Sequence, residues 1–118
     1  MRELRRGAVR LHALHDAADG ELSGVWMSNE LARHGYQISP GTLYPLLHDL
    51  VAEGLLTSSE RTQNGRARRY YIATEAGQST LAEASSALAE LAAELLPTPQ
   101  ADRRTLKERR RQRDDRSF

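Results

Sequence analysis

The chain has 118 residues, a formal net charge of +1 and no cysteine. That length fits one domain with a small core, which dimerisation often supplements. Disulfides and thiolate metal sites are excluded, no apolar run reaches the length of a membrane span, and the basic start "MRELRRGAVRL" lacks the apolar stretch and cleavage site of a signal peptide. A soluble, cytoplasmic protein with no membrane partner is expected.

The elements follow in order. Residues 3–18 are helical by period, with Leu4, Ala8, Leu11 and Leu14 (or His15) as one apolar stripe. Asp16, Asp19, Gly20 and the "ELSG" that follows read as a loop. A short second helix is expected from an N-cap at Ser28, with Leu31 and Ala32 inward and Gly35 as its stop. The stretch "ISPGTLYPLLHDLVAEGLL" then gives a third helix with Ser39 as N-cap and Pro40 as its first residue. Leu43, Leu46, Leu47, Leu50 and Val51 form its inward face. Residues 55–60 and 68–73 read as two strands, joined through Asn64–Gly65, a pair that tolerates positive φ and signals a hairpin. Thr74 caps a last helix, with Glu75 in its first turn, ending before Pro97. The segment 97–118 is a charged tail.

This order describes a mainly α protein with a small β-hairpin: a winged helix-turn-helix over 1–74, a C-terminal dimerisation helix over 75–96, and the tail. The charge is segregated to match. Residues 1–10 carry four arginines, 61–69 four with no acid, and 102–116 seven arginines and one lysine against four acids, while 70–101 carry four glutamates and no base. Basic faces of this kind suit an anionic polymer; the bland alternative is a set of solvated surfaces.

The outer face of the third helix carries Gly41, Tyr44, Pro45, His48 and Asp49. Small groups at Ser39, Gly41 and Thr42 let backbone N–H groups approach a phosphate, which the helix dipole also favours. Pro45 removes the N–H that would bond the Gly41 carbonyl. Its ring can still offer an apolar surface to a thymine methyl or a sugar, or it is merely tolerated there. Tyr44 is read as core or as contact, and His48 as a hydrogen-bonding residue on the DNA face. In the hairpin, Asn64, Arg66 and Arg68 join this footprint, because the planar guanidinium forks suit phosphate. Arg68 and Arg69 point to opposite faces of the strand. Leu81, Ala84, Leu88, Leu91 and Leu95 give a seam of two to three heptads, for a second copy or for the chain's own first helix. Trp26 either packs the second helix on the first or, with Leu11 and His15, lines an effector pocket. His12 and His15 share a face at i, i+3, but two ligands do not make a metal site. No cofactor, resident metal or catalytic constellation is expected. A protein-interaction module, or a metal or ligand sensor with secondary DNA contact, is the alternative to a DNA-binding repressor.

The run "ISPGTLYPLLHDLVAEGLL" followed by "NGRARRYYIATEAGQSTL" resembles the PadR family of bacterial transcriptional regulators, from residue 1 to about 96. The resemblance implies a homodimeric repressor that places the 40–54 helix in the major groove of operator DNA. Ser39, Gly41, Thr42 and Tyr44 would then contact DNA, with Gly65 and Arg66 on the wing. Two departures are visible. "LSGVWMSNEL" stands where many members have a "YGYEI"-like segment. The last helix holds no aromatic residue, so the stacking platform that lets short members bind flat hydrophobic effectors at the dimer interface is absent there.

Overall fold

The structure is a computed structural model that describes residues 1–97; the tail expected beyond Pro97 lies outside the described residues. Its elements are α1 (Arg2–Ala18), β1 (Leu22–Ser23), α2 (Gly24–Arg33), α3 (Pro40–Ala52), β2 (Leu56–Gln63), β3 (Arg66–Ala73) and α4 (Glu75–Leu95). The expected α-rich winged helix-turn-helix is present. The hairpin is longer than expected and is joined by a third strand, giving the antiparallel order β1-β3-β2.

The β1 strand lies in the segment that the residues alone mark as a loop. It is two residues long, too short for any alternation in the sequence, and exists because Leu22 and Ser23 pair with Tyr71 and Tyr70. This pairing also moves the start of α2. Ser23, in an extended conformation, is the N-cap in place of Ser28, and its side chain accepts from the Trp26 N–H at 3.1 Å. With the helix begun at Gly24, Met27 and Leu31 face inward, one turn apart, and Ala32 is exposed. Trp26 is left 45% exposed, so it does not wedge α2 against α1.

One core unites α1, α2, α3 and the sheet. Val9, Ala13, Leu14 and Ala17 are the α1 contribution, whereas Leu4 is 60% exposed. Of the expected stripe Leu14 is buried, Ala8 and Leu11 are half-buried and Leu4 is exposed; Val9, Ala13 and Ala17 complete the inward side, where the alanines allow close helix approach. From α3 come Leu43, Leu46, Leu47 and Leu50, as the leucine spacing implied, and from the sheet Leu56, Tyr71 and Ala73.

The described chain falls into two units, Met1–Ala84 and a second beginning at Ser85. In the first, Thr74 caps α4 by accepting from the Gly77 N–H at 3.0 Å while its hydroxyl donates to the Gly54 carbonyl at 2.6 Å. Leu81 packs partly buried against the core. In the second, Leu88, Leu91, Leu95 and Leu96 are all at least half exposed or nearly so, the least exposed being Leu91 at 49%.

Candidate nucleic-acid interface

Ser39 caps α3 through its backbone: the Thr42 and Leu43 N–H groups donate to the Ser39 carbonyl at 3.0 and 2.9 Å. Its hydroxyl lies 3.2 Å from that of Thr42 instead of on the helix N–H groups. The helix runs unbroken from Pro40 through Pro45 to Ala52. A proline six residues into a helix forfeits only the bond to the Gly41 carbonyl, which lies at the exposed end where water can serve it. Ser39, Gly41, Thr42, Pro45 and His48 are all exposed, with Gly41, Pro45 and His48 on one side of this helix.

Tyr44 is different. It is half-buried, packed against the core and against the first residue of α2. A Cβ at Gly24 would stand 2.8 Å from Tyr44 Cε1 and 3.0 Å from its hydroxyl oxygen. The tyrosine therefore rests on bare backbone, and the sequence held no local signal for that partnership.

The hairpin turns at Asn64 (φ 53°) and Gly65 (φ 76°), as the Asn–Gly pair implied. Register across it sets Gln63 against Arg66, Arg61 against Arg68, and Glu60 against Arg69. Not every arginine is left free. Arg61 pairs with Glu21 and lies over the Tyr70 ring, 4.6 Å from its centroid. The Tyr70 hydroxyl donates to Gln63 Oε1 at 2.8 Å. Arg69 reaches Glu60 at 3.6 Å and Ser58 Oγ at 3.3 Å. Arg66 is exposed and Arg68 half-buried, and neither has an ion pair among the described residues. Residues 66–69 line a cleft of about 290 Å³ together with Ser23, Gly24, Val25 and Tyr44. Tyr44 of α3, the start of α2 and the hairpin thus line one basic hollow.

Electrostatics on the other flank of α3 are managed by α1. Arg6 donates to Asp49 at 3.1 Å, and one turn on in both helices Arg10 pairs with Glu53. The two acids nearest the exposed face of α3 are thereby covered by cations, which reduces their repulsion of a polyanion.

Of the residues singled out for an effector, Trp26 and His15 are exposed and Leu11 is half-buried, and neither the cleft above nor the groove beside α1 is lined by them. His12 does not act with His15. It stacks on His34 at 5.0 Å between centroids and meets the Tyr36 ring edge-on at 5.3 Å. Among the described residues no group of three or more His, Asp or Glu side chains is placed to hold a metal ion, and no helix is long and apolar enough to cross a membrane. Beside the histidines, Asp16 Oδ2 is buried without a hydrogen-bond partner. Burial raises this carboxyl above its ordinary pKa and Glu30 adds to the rise, against the pull of the imidazoles of His15, His12 and His34.

Comparison with known proteins places this geometry. A model of the transcriptional regulator PadR-like family matches residues 11–83. The chain is 60% identical over 96 residues to the transcriptional regulator Rv3488 of Mycobacterium tuberculosis, covering 81% of this chain and 90% of that one. Among solved structures it resembles a PadR family regulator from Eggerthella lenta, at 33% identity and a TM-score of 0.68 over 81% of this chain and 88% of that one. It also resembles Bacillus subtilis PadR, solved in complex with operator DNA, at 21% identity and a TM-score of 0.58 over 86% and 58% of the two chains.

Proposed function

This chain belongs to the transcriptional regulator PadR-like family, and we propose that it is a dimeric repressor which binds a pseudo-palindromic operator. As a family member it is a regulator of transcription and not an enzyme. The observation that carries the finer reading is that α3 is flanked by cations from two directions, the hairpin arginines beside Tyr44 and the α1 arginines beside its start; three features contribute. These are the exposed, small-residue start of α3, the unpaired Arg66 and Arg68 of the wing, and the α1 arginines that cover Asp49 and Glu53. In this reading α3 enters the major groove with Gly41, Thr42, Pro45 and His48 toward the bases, and Ser39 stands at the phosphate. Asn64 and Gly65 carry the turn of the wing along the backbone, with Arg66 and Arg68 on phosphates. Tyr44 sets the distance between α3 and the wing and offers its hydroxyl at their cleft. Bacillus subtilis PadR, whose fold this chain shares, was solved on operator DNA.

The dimer would form through α4. Leu88, Leu91 and Leu95 are exposed along the second unit, on the heptad that begins with Leu81 and Ala84. Two-fold symmetry then sets half-sites about 10 bp apart or a multiple of that. Release by a small molecule belongs to the same reading, with Trp26, Leu11 and His15 as the residues proposed to line its pocket in the dimer.

The test is binding to the region upstream of the protein's own gene, against unrelated competitor DNA, at two salt concentrations. Specific binding that falls steeply with salt is expected. Arg66→Ala should reduce the salt slope by about one and weaken all sequences alike, whereas His48→Ala should change preference among sites. Equal, weak affinity for every sequence would overturn the sequence-specific reading.

A further inference from the structure

A groove of about 480 Å³ runs between the first half of α1, the turn 36–38 and the start of α3. Its floor is aliphatic: Val9, Ile38, Pro45 and Leu46. Its rim is cationic: Arg2, Arg5 and Arg6 stand on the α1 wall. Arg6 is held by Asp49, but Arg2 and Arg5 have no ion pair among the described residues. On the opposite wall are Gly41 and Thr42, which also open the exposed face of α3.

We propose that this groove binds an amphipathic monoanion of the medium-chain alkyl carboxylate class, and that its occupation blocks the DNA-facing start of α3. Two free guanidinium groups call for an anionic head. The aliphatic floor calls for an apolar body, which a DNA phosphate does not have. The only aromatic ring in the lining, Tyr36, already meets His12 edge-on, so a flexible chain fits the groove better than a planar ring seeking a stacking face. The volume lies within the range of about 300–1,000 Å³ usual for small-ligand sites. Because Gly41 and Thr42 line both the groove and the recognition face, a molecule seated there and DNA would compete. This second half rests on the DNA-binding reading above; the binding site itself does not.

Calorimetry with decanoate, below its micelle-forming concentration, tests the site. Saturable binding of one decanoate per chain is expected, with decanol (same chain, no charge) and butyrate (same head, short chain) each at least about tenfold weaker. Arg2→Ala/Arg5→Ala should weaken decanoate about tenfold or more while leaving the thermal midpoint unchanged, because both residues are exposed. Arg66→Ala, remote on the wing, should bind decanoate like the wild type. No binding to the wild type, or equal binding to the double variant, would overturn the proposal. So would a double variant that loses DNA affinity when the wild type takes up no decanoate, since its arginines would then be phosphate contacts. Fluorescence anisotropy of the upstream DNA tests the competition: decanoate should displace the wild type but not the double variant, and equal displacement of both would refute it. A protein that binds decanoate but no DNA at all would end the repressor reading and leave the groove assignment standing.

Discussion

The ring of Tyr44 lies against the bare Cα of Gly24, so close that a methyl group there would stand 2.8 Å from Tyr44 Cε1. The obstructing atoms are the far end of a side chain, which can swing away. Gly24→Ala should therefore cost only about 1 kcal/mol of stability but move Tyr44 out of the cleft between α3 and the wing. On the DNA-binding reading, affinity falls in this variant while the circular dichroism spectrum stays native. Unchanged affinity would mean that the Tyr44 position does not matter for DNA.

Gly77 presents the opposite case. A Cβ at this buried position would lie 2.0 Å from the carbonyl oxygen of Leu55, and that oxygen also accepts from the Thr74 N–H at 3.1 Å. Backbone cannot swing aside. Gly77→Ala should destabilise by about 3 kcal/mol, read as a fall in the denaturant midpoint at constant slope.

Tyr71 is 1% exposed and its hydroxyl has no partner among the described residues. Burial raises its pKa, and Tyr44 adds to the rise while Arg69 opposes it. Removing an unsatisfied buried hydroxyl without changing the ring is favourable, so Tyr71→Phe should stabilise by about 1 kcal/mol. A destabilised variant would reveal a water or a moving partner serving that oxygen.

Asp16 predicts a pH dependence. Its folded pKa is raised, first by burial. The unfolded chain therefore ionises before the folded one as pH climbs. The folded state binds more protons through that window, so stability drops between the ordinary carboxylate pKa and the raised one and does not return above it. Asp16 also sits near the C-terminal end of α1, where the helix dipole disfavours an anion. Asp16→Asn should raise the thermal midpoint at neutral pH and leave it unchanged in acid below the carboxylate range. Parallel melting curves at both pH values would refute the assignment.

On the dimer reading, Leu88→Lys should shift the protein toward monomer in sedimentation, because Leu88 is 52% exposed. DNA affinity should fall with it. A variant that sediments as the wild type would place the interface elsewhere.

Much of α3 and the wing was legible in the residues themselves. Ser39–Pro40 marks the helix start, the leucine spacing marks the buried side, and Asn64–Gly65 marks the turn, because capping, helical period and positive φ are decided within a few residues. Thr74 as the α4 cap was legible for the same reason. What only the tertiary structure decided are pairings between elements. β1 exists through its bonds to β3, and that pairing fixed the true start of α2 and left Trp26 exposed. Packing decided which side of α1 is buried: Val9, Ala13, Leu14 and Ala17, with Leu4 left exposed. Tyr44 was settled by Gly24, Arg61 by Glu21 and Tyr70, and Asp49 by Arg6. Each partner lies far along the chain, and which of several complementary groups meet is set by how the core packs. Spacing within one segment carries no record of that choice.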